Sequence, residues 1–408
     1  MPKVVVLGGA GAVGSVVSLA LARAGREAEV VVADARIDLA RNVAQRSGVD
    51  GVRAVQLDAG DPSSVTSVIL GADVVVNCVG PFYKTVRSVL ETVIASRINY
   101  VDVCDDVDAT LDILELDGAA RAAGVTALIG MGASPGVTNV LARMAAEGML
   151  DETDSIDIFH AHGGEPTEGP GVVGHRFHCM TVDIPMFLNG RLEHVKYFEP
   201  SGIALRQKFD FPILGKDIEI YPYPHPEQIT LPRYLKVRNV TNKGTVLPKE
   251  YYELTRDVCA LGLAGREPVV VNGASVVPHD FAISYILRER ERILKETGFG
   301  TQRGCCTVVA RGIKRGKPLE IRFHMASESQ ALGEGTGLPA AIGVLMMLEG
   351  KVKGPGVMPP EASIAPAEFL SHVPAVARLL HAGEDGRRFS GLLVQRIDET
   401  GRMMETRL

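Results

Sequence analysis

The stretch from Lys3 to Gly14, KVVVLGGAGAVG, constrains this chain more than any other part of it. Lys3 to Leu7 is a continuous, mostly β-branched run, the pattern of a strand buried on both faces of a parallel sheet. Glycines follow at once. G-x-G-x-x-G falls on Gly9, Gly11 and Gly14, and Ser15 to Ala24 is apolar and alanine-rich, as a helix packed on a sheet is. A second apolar run, Ala28 to Ala33, ends in Asp34, twenty positions beyond Gly14. Strand, glycine turn, helix, strand and terminal acid in this order form a dinucleotide fingerprint, whereas the glycines alone are a weak signal.

Each residue type has a physical role in that fingerprint. Gly9 permits the tight turn, Gly11 has no Cβ to keep a pyrophosphate from the backbone, and Gly14 lets the helix sit close on the sheet. The phosphates then meet the unpaired N–H groups of Ala12, Val13 and their neighbours at the helix N-terminus. Asp34 is suited to the adenosine ribose hydroxyls and repels a 2′-phosphate, which favours NAD. Arg36, just beyond it, is able to stack on adenine or pair with a 2′-phosphate, which leaves NADP open.

Further strands are expected at Val52–Leu57, Ala72–Val79, Tyr100–Val103 and Thr126–Gly130, with one helix over Asp108–Ala123. Asp58, ending the third strand, reads equally as an adenine contact or a turn aspartate. Asn77, Val79 and Gly80 end the fourth and border the cofactor's second half. The expectation is an α/β protein whose Rossmann doubly wound parallel sheet is interrupted by a mixed α+β second domain. With 408 residues, 44 glycines and 5% aromatics, the composition suits such layers. A net charge of −6 without a long basic run argues against a nucleic-acid partner. The six cysteines form no C-x-x-C pair, which excludes a zinc knuckle or disulfide framework. No apolar stretch approaches the roughly 20 residues of a membrane span. With the first strand beginning at Pro2 or Lys3, a reduced, cytoplasmic, soluble protein is expected.

Several segments carry a family resemblance: GGAGAVG, AVQLDAGDPSSV, DVVVNCVGPF, NYVDVCDD, MGASPGVTNVLA and, late in the chain, TVVARGIKRGKP and ALGEGTGLPAAIGVLMMLEGKVKGPGVMPPEAS. Together they resemble the saccharopine dehydrogenase family, most of all its lysine 6-dehydrogenase-type members. The likeness spans roughly the first 165 residues and about 60 near the end, and ASPGVTN with GVMPPE is its most specific part. It implies hydride exchange between a nicotinamide and a carbon bearing an amine or imine, often in a homodimer. Where saccharopine reductases have a tyrosine, an aspartate and a cysteine, this chain has Asp105, Ser134 and His162. Saccharopine itself is therefore not the expected substrate.

From about Asp151 the composition changes, with His160, His162, His175 and His178 close in sequence. No acidic ligand stands at a recognisable spacing among them, so no metal is expected. His162, before Gly163-Gly164, is the acid/base candidate, with Asp105 beside it in the catalytic set. A substrate carboxylate needs a guanidinium, from Arg176 or Arg233, and an amine needs an acceptor, from Glu227 or Asp105. Ser134 and His178 complete the substrate-binding candidates. The expected divisions are a nucleotide domain over 1–134, a substrate and dimerisation domain over 135–329, a return over 330–365 and a peripheral arm over 366–408. The expected function is an NAD(P)-dependent oxidoreductase acting on the C–N bond of an amino acid, opine or related amine. Two alternatives stay open: a synthase or lyase that recycles its NAD internally, and a non-catalytic nucleotide sensor.

Overall fold

The computed structural model describes residues 2–24, 28–166, 168–328, 331–380 and 392–407. The chain is shared between two units. The first comprises Met1–Glu152, His225–Lys236 and Leu332–Phe389, and the second Thr153–Pro224, Val237–Ala331 and Ser390–Leu408.

In the first unit, strands β1 (Lys3–Leu7), β2 (Glu29–Asp34), β3 (Val52–Gln56), β4 (Val74–Asn77), β5 (Asn99–Asp102) and β6 (Thr126–Leu128) join a late strand, Gly356–Met358. The order is Gly356–Met358, β6, β5, β4, β1, β2, β3, and the pairs are parallel. This is the expected doubly wound sheet. The order reverses between β1 and β4, which opens a crevice beyond their carboxyl ends. Val4 to Leu7 are fully buried because helices cover both faces of the central strand. Helix α1 (Ala12–Arg23) supplies Val17, Ala20 and Leu21 to that core, and the apolar helix Ala331–Leu348 supplies Ile342, Val344 and Met346.

Three boundaries differ from the sequence expectation. The helix expected over Asp108–Ala123 is two, Val107–Leu114 and Asp117–Ala123. Asp117 turns aside there to accept from the Val357 N–H at 2.9 Å and from Arg121 Nε at 2.7 Å. The first unit does not end at residue 134 but continues through Val137–Arg143, because Val140 is packed into the sheet's core. The segment after 365 is not a peripheral arm. Helix Pro366–Leu380 buries Phe369, Val376 and Ala377 in the first core, and Leu392–Asp398 and Met403–Arg407 add two strands to the second unit's sheet.

That second sheet is mixed and ten-stranded. Strand β7 (Glu152–Gly163) runs parallel to Asn239–Leu247, and Arg303–Lys314 forms a long hairpin with Lys317–Ser327. A separate short hairpin pairs Val269–Val271 with Ala274–Val276. Among the described residues no helix is long and apolar enough to cross a membrane.

Candidate functional site

The glycine turn is built from main-chain bonds. Gly9 donates to the Ala33 carbonyl at 3.0 Å and Gly11 to the Gly8 carbonyl at 3.1 Å, so the chain folds back directly beyond β1. Gly11 then caps α1 in an extended conformation, with no side chain to occupy the helix N-terminus. The N–H groups of Ala12, Val13 and Gly14 lie in the first turn, where helix geometry supplies no intrahelical acceptor. A Cβ at Gly14 would overlap the Gly8 carbonyl, so only glycine lets α1 begin this close to the turn.

Asp34 stands at the end of β2 and is almost buried. Its Oδ2 accepts from the Ala10 N–H and its Oδ1 from the Arg36 N–H, each at 3.0 Å. The carboxylate thereby ties the glycine turn to the neighbouring strand. The Arg36 guanidinium reaches within 3.7 Å of Asp34, yet its side chain is 66% exposed. Free donors at a helix terminus, a fixed acid and an open cation are the groups a dinucleotide requires, and the cradle fits one.

The other expected cofactor contacts divide. Asp58 is an exposed turn residue whose Oδ1 accepts from the Gly60 N–H at 2.9 Å. Asn77 is fully buried. It donates to the Tyr100 hydroxyl at 3.0 Å and accepts from the Val79 N–H at 3.0 Å, so it shapes the strand end that presents Val79 and Gly80. Asp105 follows β5 and is half-buried. Behind it, Asp102 is pushed up to about 6 by burial, against N–H groups of Gly130 at 2.7 Å and Cys104 at 3.1 Å that favour its charged form.

Beyond β6 the chain makes a tight loop, Gly130 to Gly136. The Gly132 N–H donates to the Pro135 carbonyl and the Val137 N–H to the Gly132 carbonyl, both at 2.9 Å. Gly136, with φ of 127°, packs so tightly on Gly132 that a Cβ there would overlap it. The loop holds Ser134 against a segment nearly a hundred residues away. Its hydroxyl donates to Glu227 Oε1 at 2.6 Å, and Thr138 donates to the same oxygen at 2.8 Å. The other carboxylate oxygen, Oε2, lies 2.7 Å from His225 Nδ1. Burial works against the charge on Glu227, but His225, Ser134 and Thr138 outweigh it and lower its pKa. Glu227 is fully buried, with both oxygens committed to this chain. Its two oxygens thus join Ser134, Thr138 and His225 in one buried cluster.

Next to this cluster, Asn139 Nδ2 donates to Glu361 Oε2 at 2.8 Å while its Oδ1 accepts from the Gly136 N–H at 2.8 Å. Burial pushes Glu361 up to about 7, and the nearby charge of Glu227 adds to the shift. Arg233 lies on the same helix as Glu227 and is exposed.

The remaining candidates are on the second unit. His162, at the end of β7, places Nδ1 2.7 Å from Glu165 Oε1, and the two side chains are 33% and 15% exposed. Arg176 is buried and paired through Nη2, while its buried Nη1 has no hydrogen-bond partner. Its Nη2 reaches Glu168 at 2.5 Å, and Glu168 also accepts from Arg290 Nε at 2.9 Å and from the Tyr251 hydroxyl at 2.8 Å. Arg290 also donates to the Glu165 carbonyl at 2.5 Å, which links this ion cluster to the loop beside His162. His178 is half-buried on the helix Pro170–Thr181, which also carries Arg176. Among the described residues no group of three or more histidine, cysteine, aspartate or glutamate side chains is arranged to hold a metal ion.

Ser134 and Glu227 are thus brought together on one unit, and His162 and Arg176 on the other. His225, Glu361, Glu165 and Glu168 escaped the sequence reading. The one local signal for the first was His225-Pro226-Glu227 at the start of a helix, in a proline-rich stretch that otherwise resembles a linker.

The sheet order and the glycine turn define a nucleotide-binding protein of the Rossmann class. Residues 4–128 match the family model described as the saccharopine dehydrogenase NADP binding domain. The nucleotide-binding part is of that type. A carboxyaminopropylagmatine dehydrogenase from Synechocystis sp. is 25% identical over 389 residues, covering 91% of this chain and 95% of its own. A carboxynorspermidine synthase from Vibrio cholerae is 25% identical over 356 residues, covering 80% and 81%. Among solved structures, saccharopine dehydrogenase (L-Glu forming) from Saccharomyces cerevisiae shares the fold, with a TM-score of 0.64 at 17% identity over 92% of this chain and 97% of that one.

Proposed function

We propose that the protein is an NAD(P)-dependent oxidoreductase acting on the C–N bond of a carboxylate-bearing amine or imine, such as an amino acid, an opine or a carboxylated polyamine precursor. The observation that carries this reading is the cradle of Gly9, Gly11 and Gly14 at the start of α1, closed by Asp34. The names of the two relatives, each pairing a carboxyl group with a polyamine-type amine, support the substrate class. A bound nicotinamide supplies hydride exchange at carbon. The chain's own residues bind, orient and move the proton.

The N–H groups of Ala12, Val13 and Gly14 hold the pyrophosphate. Asp34 faces the adenosine ribose, while exposed Arg36 is available to a 2′-phosphate, which supports NADP(H) alongside NAD(H). Asp58, Val79 and Gly80 border the bound cofactor. Arg233, exposed on the helix Glu227–Tyr234, takes the substrate carboxylate. Asp105 and Ser134 line the carboxyl edge of the sheet, and on the second unit His162 is paired with Glu165.

The name of the Vibrio relative favours a second reading, a synthase that joins a carbonyl acid to an amine. One assay tests both. Carbonyl acids and amines are added singly and in pairs to protein with NADPH or NADH, and absorbance of the reduced nicotinamide is followed. Net consumption only with a pair supports reductive C–N bond formation. Consumption with a carbonyl alone, or with no pair at all, overturns it; product without net consumption indicates internal recycling.

A cytoplasmic homodimer is part of this reading. Among the described residues no disulfide is formed, in keeping with a reducing compartment. The second unit leaves Leu261, Val269 to Val271 and Phe281 exposed, and a second copy would cover them. Light scattering of the purified protein tests this, a monomer being the contrary result.

A further inference from the structure

We propose that a basic groove at the amino edge of the nucleotide-binding sheet is a second anion site, fitted to a small, non-aromatic molecule that carries phosphate groups. It stands apart from the glycine turn and does not depend on the oxidoreductase reading.

Position is the first argument. The groove has a volume of about 320 Å³, and Arg143, Lys351, Val352, Lys353, Ser363 and Ala365 are among its lining residues. All of them belong to the first unit. Lys351 to Lys353 precede the strand Gly356–Met358, which runs parallel to β6, so they lie at the amino ends of the strands. Arg143 joins them from the last position of the helix Val137–Arg143, which starts beyond the carboxyl end of β6. The glycine turn and Asp34 stand at the carboxyl ends of β1 and β2, on the opposite edge. The volume is at the lower end of the roughly 300–1,000 Å³ of small-molecule sites.

Charge is the second argument. Three cations line the groove and no acid does, in a chain whose net charge is −6. Two of the cations are held at the walls. Arg143 donates through Nε to Glu147 at 2.8 Å and through Nη1 to the Ile364 carbonyl at 3.0 Å, and Lys351 Nζ stands 2.9 Å from Glu368 and 3.1 Å from Glu349. Lys353 differs. Its main-chain N–H is fixed to the Ser363 carbonyl at 3.0 Å, while its exposed ammonium is in no ion pair among the described residues. A guanidinium fork beside compact ammonium charges is the donor set that phosphate oxygens take. Ala362, Ala365, Gly350 and Val352 supply the remaining walls, with no aromatic ring on which a nucleobase could stack. The ligand class is therefore a phosphorylated aliphatic molecule, not a second nucleotide.

The groove also reaches the buried cluster on the other edge. Asn139 stands one turn before Arg143 on the same helix, and Glu361 adjoins Ala362, so two walls of the groove lead to the Asn139–Glu361 bond. An occupant braces both walls and stabilises the first unit by mass action.

The test titrates pyrophosphate, ribose phosphate, adenosine monophosphate and malate into the full-length protein by calorimetry, at constant ionic strength and with NADPH saturating the glycine turn. Pyrophosphate should bind once per chain. Lys353→Ala should weaken it by about 10- to 100-fold, the range of a lost charge-assisted bond, and Lys353→Glu should abolish it. Both variants change an exposed side chain, so the unliganded melting temperature and NADPH affinity should hold, and Arg36→Ala should leave pyrophosphate binding unchanged. Ribose phosphate and adenosine monophosphate should bind alike, and malate more weakly than either. Pyrophosphate should raise the melting temperature of the wild type but not of Lys353→Glu.

No saturable binding, equal binding by Lys353→Glu, or binding seen only when NADPH is left out overturns the site. Adenosine monophosphate far tighter than ribose phosphate, or malate as tight as the phosphates, overturns the ligand class. Each of these results leaves the oxidoreductase reading standing.

Discussion

The Ser134 hydroxyl donates to Glu227 at 2.6 Å across 93 positions of sequence. Together with the Thr138 bond to the same oxygen, this contact fastens a proline-rich excursion to the loop after β6. Glu227 ends up with no exposed surface, three donors around it and a pKa below the ordinary 4.5.

Replacing Glu227 by Gln should destabilise the fold. The substitution turns an acceptor-only group into one that also donates, facing two hydroxyls and an imidazole, and a lost charged hydrogen bond is worth about 1.5–3 kcal/mol. The sign of the pH effect follows from the lowered pKa: the stabilisation is full above 4.5 and is lost as pH falls below it. Urea denaturation at pH 7 and pH 4 should show the difference between wild type and variant shrinking at the lower pH. A constant difference would contradict this account.

Glu361 predicts the opposite slope. Its pKa is pushed from 4.5 to about 7, so the native state holds a proton that the unfolded chain releases. Its contribution is full below 4.5 and lost as pH rises through about 7. Glu361→Gln should flatten this decline, gaining stability over wild type at pH 8 relative to pH 5. Thermal melts in matched buffers at the two pH values measure it.

The ion cluster on the second unit offers a third test. Glu168 neutralises two buried guanidiniums, Arg176 and Arg290, and accepts from Tyr251. Removing the shared acid leaves both cations without it, and breaking a buried pair costs about 3–5 kcal/mol. Glu168→Gln should lower the urea midpoint sharply. Glu289→Gln, on a group paired with Arg288 and Arg292 at the surface, should move it little.

Cofactor choice is read at Arg36. If its exposed guanidinium meets the 2′-phosphate, Arg36→Ala should weaken NADPH binding by about 10- to 100-fold, the range of a lost charge-assisted bond. NADH binding should stay within about twofold. Fluorescence titrations with both nucleotides give the ratio, and equal losses for the two would place Arg36 on a shared part of the molecule.

The nucleotide-binding sheet was legible in the sequence because its evidence is local. Gly9, Gly11, Gly14 and Asp34 sit within one strand–helix–strand unit, and each type is set by a steric or electrostatic need of that unit. His225 was not legible. Its meaning comes from Ser134 and Thr138, and no period or spacing in YPYPHPEQ announces that this stretch docks on the nucleotide-binding unit. The contacts of Glu227 with Ser134 and Thr138 were hidden for the same reason. The C-terminal segment failed differently: Phe369, Val376 and Ala377 mark an amphipathic helix, but the strands that follow are short and charged, and only pairing with Lys317–Ser327 makes them part of a sheet.

The two units exchange the chain five times, at about residues 152, 224, 236, 331 and 389. No single cut therefore yields either unit whole. A fragment ending at residue 152 lacks the strand Gly356–Met358 and the helices that seal its sheet, while one beginning at 153 carries strands and helices belonging to the other core. Whatever cut removes one unit therefore also takes residues from the other.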